Sequence, residues 1–389
     1  MKPNPDLSSA GITEIYVSAV MPCLNEESSL GICIEKAQRR FRELGIVGEV
    51  VIADNGSTDR SVAIAESLGA RVIHETRKGY GAALTAGIIA ARGRIVIMAD
   101  SDDSYDWLAL GDFVTKIEEG FDLVMGNRFK GGIEPGAMPP LHRYLGNPVL
   151  STITRQFYHI PIGDFHCGMR AFTRDAFERM KLRTRGMEFA TEMVVHAAQA
   201  GLRIGEIPTK LFPDKRNRPP HLRSFRDGWR HLRFIVTYAP DYLYLVPGSL
   251  LLMLGTIGLL GLSKGPIEIA GIHLGVHFLA LASLLFLAGI NLMTFGLLAK
   301  AYHARWHAPP PSLFTAFFKH FTLEKGLTLG LAIAAAGIIA DGVILSEWMA
   351  RSRGAMPDTI HAAFAATTAI VSGMQIVFAS FLLNMFREN

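Results

Sequence analysis

The chain has 389 residues, of which 49% are hydrophobic, and its formal net charge is +4. Such a small net charge excludes a strongly basic nucleic-acid-binding protein, and we expect no nucleic-acid partner. The three cysteines contain no CxxC pair, so the sequence indicates neither a disulfide framework nor a zinc site. Residues 1–240 have the composition of a soluble α/β protein, whereas residues 241–389 hold nearly all of the long apolar segments.

Short apolar segments alternate with helical patterns in the first third of the chain. The predicted strands are residues 15–21, 50–53, 71–74, 95–98 and, further along, 122–125. Strands that alternate with helices indicate βαβ units and a mostly parallel sheet flanked by helices. Sheets of this α/β class bind their ligands at the carboxyl ends of the strands. Functional residues are therefore expected in the turns at that edge.

Polar turns follow the first three predicted strands. Their candidate binding residues are Pro22, Asn25, Glu26, Asp54, Lys78 and Gly79. Glycine permits a close approach of the backbone to a ligand, and a lysine adds positive charge for a phosphate. Each turn alone is also compatible with an ordinary surface loop. Because all of them belong to one edge of the sheet, together they favour a nucleotide-binding site.

Four acids follow the apolar strand at residues 95–98, namely Asp100, Asp102, Asp103 and Asp106. Carboxylates this close repel one another unless a cation or hydrogen-bond donors neutralise them. Asp100 and Asp102 are suitable ligands for Mg²⁺ or Mn²⁺ shared with a diphosphate. The alternative is an acidic, solvated turn in which Asp106 caps the next helix. These residues alone leave both interpretations open.

The motifs in this order resemble those of family 2 glycosyltransferases, which have the GT-A fold. The segments that carry the resemblance are Pro22 with Asn25-Glu26-Glu27, Asp54-Asn55-Gly56-Ser57-Thr58-Asp59, Lys78-Gly79-Tyr80-Gly81 and Asp100-Ser101-Asp102. More narrowly, residues 15–235 resemble the dolichol-phosphate mannose synthase and polyprenyl-phosphate glycosyltransferase branch. The resemblance implies that the Pro22 loop and Asp54 hold the nucleobase and ribose. It also implies that Asp100 and Asp102 hold the metal and the diphosphate.

Residues 121–200 contain the candidate acceptor side. The resemblance implies that Arg128 binds phosphate, and residues 131–140 form a loop rich in Gly and Pro. Asp164 begins a segment similar to the family's Asp-x-x-Ser-Gly-x-Arg motif. A hydroxyl acceptor would need a general base, for which Asp164 is the best candidate, whereas a lipid phosphate needs cationic positioning instead. Glu188 and Glu192 share a helix face that we expect to be half-buried.

A basic segment precedes the apolar region. Arg216, Arg218 and Arg223 are assigned to a diphosphate or lipid phosphate, and residues 224–238 form a predicted amphipathic helix. We divide the chain into a catalytic domain at 1–222, an interfacial helix at 223–240 and a membrane domain at 241–389. The basic residues lie where anionic headgroups would attract them. They are equally compatible with a simple positive flank of the first membrane span.

Four apolar stretches are long enough to cross a lipid bilayer. They are residues 243–262, 276–298, 327–346 and 363–386. Basic residues concentrate before the first stretch and between the second and third, so we expect the catalytic domain and both termini in the cytoplasm. Asp341 lies near one end of the third stretch and is either functional or solvated at the interface. Assembly of several copies through the spans is compatible with this pattern.

The combined pattern predicts a metal-dependent, inverting glycosyltransferase embedded in the membrane. It would move one hexose from GDP-mannose or UDP-glucose to a polyprenyl phosphate. No QxxRW segment follows the motifs, which favours a single transfer over polysaccharide synthesis. The alternatives are transfer to another lipid or glycan, which would require a true general base, and a non-catalytic nucleotide-sugar-binding or flippase component.

Overall fold

The structure is a computed structural model that describes residues 14–215, 224–304, 313–351, 354, 356 and 359–387. The chain forms two compact units, Met1–Ile235 and Val236–Asn389. The division falls within the segment that the sequence predicts as an amphipathic helix.

The first unit is built on a seven-stranded sheet with the order β3-β2-β1-β4-β6-β5-β7. Its strands are β1 (Val17–Cys23), β2 (Gly48–Asp54), β3 (Arg71–His74), β4 (Ile95–Met98), β5 (Leu123–Asn127), β6 (Arg170–Thr173) and β7 (Ile204–Pro208). Strand β6 runs antiparallel to β4 and β5, and the other neighbouring pairs are parallel. The α/β class and the mostly parallel sheet predicted from the sequence are confirmed.

Helices connect the strands and cover both faces of the sheet. They are α1 (Leu30–Leu44), α2 (Ser61–Ser67), α3 (Tyr80–Ala90), α4 (Leu110–Glu118), α5 (Arg128–Gly131), α6 (Asn147–Tyr158), α7 (Arg174–Met180), α8 (Phe189–Gln199) and α9 (Ser224–Thr237). A 3₁₀ turn at Trp107–Ala109 precedes α4, and a π-helical turn at His142–Gly146 precedes α6.

The central strand β4 is buried along its whole length. Ile95 and Ile97 pack with Trp107 in one hydrophobic layer. Val96 and Met98 pack with Phe172 in the opposite layer. An unbroken apolar run is the pattern of a parallel strand covered on both faces, because alternate side chains point to opposite sides.

The strand register places the polar turns of the first unit side by side. Cys23 at the end of β1 pairs with Asp54 at the end of β2, and Asp54 pairs with His74 of β3. Val20 of β1 pairs with Met98 at the end of β4. The turns after these four strands therefore lie along one edge of the sheet, as the sequence predicts.

The second unit is helical. Its elements are α10 (Val246–Leu262), β8 (Ile267–Ile269), β9 (Ile272–Leu274), α11 (Val276–Ala304), α12 (Leu313–His320), α13 (Leu323–Ala350) and α14 (Ile360–Arg387). Among the described residues, four helical stretches are long and apolar enough to cross a membrane: Asp241–Leu262, Val276–Ala304, Leu323–Ala350 and Ile360–Phe386. The four predicted spans are confirmed as apolar helices, and most extend beyond the predicted bounds. The sequence did not predict the β8–β9 hairpin or α12.

Glycines bring the backbones of α13 and α14 into contact. A Cβ atom added to Gly330 would lie 2.7 Å from the carbonyl oxygen of Gly373. Ser283 and Thr368 also form a buried hydrogen bond of 3.0 Å between α11 and α14. Small residues and hydroxyl groups at helix contacts are typical of membrane bundles, where close van der Waals packing replaces the hydrophobic effect.

Replacing Gly330 with Leu tests this packing. The side chain would collide with the backbone of α14, so we expect the free energy of unfolding to fall by about 1–3 kcal/mol. Gly342 on the same helix is the matched control, because nothing lies within 4 Å of a Cβ atom placed there. Thermal unfolding of the two Leu variants in detergent should lower the midpoint for position 330 only. Equal midpoints would contradict the packing.

Candidate active site

The turns after β1 and β2 are joined by hydrogen bonds. The Asn25 backbone N–H donates to Ser57 Oγ at 2.9 Å, and the Thr58 N–H donates to Asn25 Oδ1 at 2.7 Å. The Glu26 N–H donates to Ser61 Oγ at 2.8 Å. Asn25 has a φ of 58°, a left-handed conformation that asparagine tolerates better than most residues. These bonds fix the predicted nucleotide-side residues on one rigid edge.

Asp54 is a buried, ionised carboxylate at this edge. It accepts hydrogen bonds from the backbone N–H groups of Gly56 at 3.2 Å and Ser57 at 3.0 Å. Burial opposes ionisation, but the hydrogen bonds outweigh it and lower the pKa of Asp54. His74 Nδ1 also lies 3.3 Å from Asp54 Oδ2, so strand β3 contacts the carboxylate as well.

Lys78 and Gly79 are held by the neighbouring Asn55. Lys78 Nζ donates to the Asn55 carbonyl at 2.7 Å, and the Gly79 N–H donates to Asn55 Oδ1 at 2.8 Å. Gly79 has a φ of 136°, and a Cβ atom there would collide with the Arg185 carbonyl. This glycine therefore makes room for the chain's own backbone, a reason for its presence that the sequence did not reveal.

A cavity of about 350 Å³ lies at the carboxyl end of β4. Its polar lining includes Asp100, Asp102, Arg128, His166, Asp214 and His231. Apolar side chains, among them Met138, Leu150 and Leu211, form part of the same wall. The volume and the mixture of apolar wall with a few polar groups are typical of a small-molecule site.

The four acids of the turn after β4 have two different environments. Asp102 accepts hydrogen bonds from the N–H and the hydroxyl group of Ser104, at 3.0 and 2.5 Å, and it lines the cavity with Asp100. Asp103 instead pairs with Lys36 at 2.7 Å and with Lys215 at 2.6 Å. Asp106 accepts from the Leu108 N–H and caps the 3₁₀ turn, which confirms its predicted capping role.

The two cavity-lining carboxylates fit a hard divalent cation. Gly168 leaves room beside them, because a Cβ atom there would lie 2.9 Å from Asp100 Oδ2. No group of three or more acidic, histidine or cysteine ligands occurs in the part of the chain that the structure describes. Mg²⁺ commonly binds through one or two carboxylates, with waters and substrate phosphates completing its shell. Asp100 and Asp102 together with a diphosphate would provide such a site.

Arg128 also lines the cavity, and Asp164 holds it in place. Asp164 Oδ2 accepts from Arg128 Nε at 2.7 Å, and Oδ1 accepts from Nη2 at 2.8 Å. The Arg128 backbone N–H adds a third bond at 3.1 Å. Burial raises the pKa of Asp164, but its neighbour Arg128 more than compensates, so the pKa is lowered.

These contacts do not favour the predicted role of Asp164 as a general base. The carboxylate is fully buried, is engaged in a two-point ion pair and has a lowered pKa, all of which oppose proton uptake. Its geometry is that of a residue that orients Arg128. The sequence suggested Arg128 and Asp164 separately but did not predict that they form a pair.

Four further residues shape the cavity without having been predicted to do so. Arg170 is fully buried and donates to the carbonyls of Phe165 and Cys167, which fixes the segment before β6. The Gly168 N–H donates to the Tyr105 hydroxyl at 2.8 Å. His231 of α9 lines the cavity. Arg170 is the last residue of the motif that begins at Asp164, and this motif was the one sequence signal that could have identified it.

The predicted pair Glu188 and Glu192 has two different environments. Glu192 is buried, and its carboxylate accepts from the N–H groups of Arg183 and Thr184 at 3.0 and 2.9 Å. It fixes the loop before α8, whose Met187 lines the cavity. Glu188 is partly exposed. The expectation of a half-buried pair holds for Glu188 alone.

Arg216, Arg218 and Arg223 lie outside the described residues. The chain that leads to them runs along the acidic turn. The Phe212 N–H donates to the Ser104 carbonyl at 3.0 Å, and the Lys215 N–H donates to the Asp102 carbonyl at 3.1 Å. The last described residue before these arginines is therefore bonded to the turn that carries Asp102.

The fold and the site together define a class of protein, a GT-A-like glycosyltransferase followed by membrane-spanning helices. Residues 18–181 match the family model "Glycosyl transferase family 2". Residues 297–387 match "Glycosyltransferase family 2 C-terminal transmembrane region".

Two relatives agree with these matches, one of them along nearly the whole chain. The chain is 39% identical over 373 residues to the low-salt glycan biosynthesis hexosyltransferase Agl6 of Haloferax volcanii, with 96% of this chain and 89% of that protein covered. It is 32% identical over 192 residues to a dolichyl-phosphate hexose transferase of the same organism, covering 49% of this chain and 81% of the relative. The chain therefore belongs to glycosyltransferase family 2 and is a hexosyltransferase.

Among solved structures, glucosyl-3-phosphoglycerate synthase of Mycobacterium tuberculosis superimposes with a TM-score of 0.45 and 23% identity. The match covers 57% of this chain and 77% of that one.

Replacing Asp164 with Asn leaves the buried Arg128 without its charge partner. We expect the free energy of unfolding at pH 7 to fall by about 3–5 kcal/mol, the usual cost of breaking a buried ion pair. Folding lowers the pKa of Asp164. The wild type's additional stability is therefore fully present above the pKa of this group in the unfolded state, about 4. That advantage disappears as the pH falls through the folded pKa.

The measurement is thermal unfolding of the full-length protein in detergent across this pH range. Asp112→Asn, on the exposed face of α4, is the control and should cost no more than about 1 kcal/mol, the worth of a carboxylate in the first turn of a helix. An Asp164→Asn variant as stable as the wild type at pH 7 would show that the ion pair contributes nothing.

Proposed function

We propose that the protein transfers a single hexose from a nucleotide sugar, GDP-mannose or UDP-glucose, to a polyprenyl phosphate at the cytoplasmic face of the membrane. The observation that carries this proposal is the charge pattern of the cavity. Asp100 and Asp102 on one part of its wall can hold a cation and diphosphate, and Arg128 on another can hold a second phosphate. Two phosphate-binding groups in one cavity fit a donor and an acceptor that both carry phosphate.

The donor nucleotide would lie along the edge formed by the turns after β1, β2 and β3. Asp54, ionised and fixed by backbone N–H groups, would accept hydrogen bonds from the ribose hydroxyls. Pro22, Asn25 and Glu26 would form the wall against the nucleobase, and Lys78 and Gly79 the adjoining turn. The rigid hydrogen bonding of these turns supports a preformed site, which reduces the entropy cost of binding.

The transfer requires charge stabilisation of the leaving diphosphate. Asp100 and Asp102 would hold Mg²⁺ or Mn²⁺ there, and the cation, when bound, would neutralise part of the diphosphate charge. Ser104 keeps the Asp102 carboxylate in one orientation through two hydrogen bonds. Asp100 and Asp102 thus provide a fixed pair of carboxylates before the donor binds.

The acceptor phosphate would bind to Arg128. Asp164 engages Nε and Nη2, which leaves Nη1 for a phosphate oxygen. A phosphate monoester is already an anion at neutral pH, so the reaction needs an oriented nucleophile rather than a strong base. Arg216, Arg218 and Arg223 would add positive charge, since the chain reaches them from the turn that carries Asp102.

Two further observations support a lipid acceptor. The cavity wall contains Met138, Leu150 and Leu211, on which isoprene units can pack. The described part of the chain also contains four helices able to span a membrane, and one relative is named as a dolichyl-phosphate hexose transferase. The name of the 39% identical relative, a hexosyltransferase of glycan biosynthesis, favours a glycan as the second candidate acceptor.

Asp102→Asn tests the role of the carboxylate pair Asp100 and Asp102. We expect the rate of hexose transfer to fall by about 100-fold or more, because one electrostatic stabilising group is typically worth this factor. Asp112→Asn makes the same change on an exposed helix face and should retain wild-type activity. Chelation of divalent cations should abolish transfer, and added Mn²⁺ should restore it. Full activity of Asp102→Asn would refute the mechanism.

A comparison of acceptors tests the reaction itself. Purified full-length protein would be incubated with radiolabelled GDP-mannose or UDP-glucose and one of four acceptors: polyprenyl phosphate, the corresponding polyprenol, diacylglycerol or a lipid-linked glycan. We expect labelled lipid with polyprenyl phosphate and none with the polyprenol, which has the same chain without the phosphate. Transfer to diacylglycerol or the glycan, with none to polyprenyl phosphate, would replace the proposed acceptor.

A further inference from the structure

Two imidazole rings on the cavity wall have no role in the proposed reaction. His166 comes from the segment before β6, and His231 comes from α9. Their ring centroids are 4.9 Å apart, and the ring planes are perpendicular. His231 is fixed from behind, because its Nδ1 lies 2.7 Å from the hydroxyl of the fully buried Thr191.

The backbone of His166 is held in place, and its ring has unused hydrogen-bonding capacity. Its backbone N–H donates to Asp164 Oδ1 at 3.2 Å, so the carboxylate that orients Arg128 also fixes this residue. Both ring nitrogens are shielded from solvent, and neither has a hydrogen-bond partner among the described residues. Leaving a buried polar atom unsatisfied costs about 1–3 kcal/mol. Because His166 lines the cavity, a turn of its ring would bring one of these unsatisfied nitrogens to a ligand there.

The chemistry of this ring favours a hydroxyl group over a phosphate. Burial lowers the pKa of His166 well below its usual value, and the nearby His231, Arg128 and Arg170 act in the same direction against Asp164. A neutral imidazole has one donor nitrogen and one acceptor nitrogen. A sugar hydroxyl can serve either nitrogen because it both donates and accepts, whereas an ionised phosphate can only accept and binds best to cations.

We propose that His166 is a specificity-determining residue that hydrogen-bonds a hydroxyl group of the transferred hexose. The inference rests on the proposed function, which places the sugar beside the diphosphate at Asp100 and Asp102. Its position agrees with this role: Gly168, two residues further along, packs against the Asp100 carboxylate.

His166→Phe removes both nitrogens while it keeps a planar ring. Binding of GDP-mannose, UDP-glucose and their nucleoside diphosphates to the full-length protein would be measured by calorimetry without acceptor. For the nucleotide sugar that the wild type binds, we expect the variant's affinity to fall by about 5-fold to 10-fold, the worth of one hydrogen bond between uncharged groups. Affinity for the nucleoside diphosphate alone should not change.

Deoxy donors identify the hydroxyl. The wild type should bind one of the 2-, 3-, 4- and 6-deoxyhexose donors about 5-fold to 10-fold more weakly than the parent sugar. His166→Phe should bind that donor and the parent equally. His196→Phe is the matched control, since His196 is a buried imidazole of α8 that contacts the Met180 carbonyl and does not line the cavity. It should lower the unfolding midpoint and leave the discrimination between donors intact.

Two polar variants cover the case in which the Phe variant does not fold. Asn and Gln at position 166 place an amide near the position of Nδ1 or of Nε2, respectively, so we expect them to weaken the discrimination unequally. The proposal would be overturned if His166→Phe, or both polar variants, distinguished the parent sugar from the four deoxy donors as strongly as the wild type does. A wrong acceptor would appear only in the transfer assay, because these binding measurements omit the acceptor. A wild type that binds neither nucleotide sugar would contradict both proposals.

Discussion

The buried ion pair between Arg128 and Asp164 is the interaction on which the candidate site depends. Asp164 engages two guanidinium nitrogens and the Arg128 backbone N–H, so the side chain has one orientation. A positive group is thereby fixed in the same cavity as Asp100 and Asp102. Burial of such a pair requires good geometry to offset the loss of hydration, which the three hydrogen bonds provide. The proposed function assigns the two carboxylates to a cation with diphosphate and Arg128 to a second anion.

The antiparallel strand β6 explains how these residues meet. It lies between β4 and β5, and Arg170 at its start pairs with Met98 and Met125 near the ends of those strands. An antiparallel strand begins where its neighbours end. The segment from Asp164 to Gly168 consequently lies beside the carboxyl ends of β4 and β5, which carry Asp100 and Arg128. One reversed strand thus adds Asp164 and His166 to an edge otherwise built from parallel strands.

Much of the fold follows from local sequence patterns, and the residues that depend on distant contacts do not. The apolar run at Ile95–Met98 and the polar turns predicted the sheet and its functional edge. Both signals are local, because hydrophobic periodicity and turn composition can be seen in a few consecutive residues. Strand β6 has four residues and no distinguishing pattern, so its reversed direction was not predictable. The pairing of Arg128 with Asp164 spans 36 residues and depends on that reversal. The open hydrogen-bonding capacity of His166 likewise becomes visible only when its neighbours are known.

The most direct test of the account is a structure of the full-length protein in lipid with Mn²⁺, the nucleotide sugar and polyprenyl phosphate, determined by electron cryo-microscopy. The account predicts Mn²⁺ and the diphosphate against Asp100 and Asp102, and the lipid phosphate against Arg128 in the same cavity. A diphosphate bound away from the two carboxylates, or a lipid phosphate that does not contact Arg128, would contradict it.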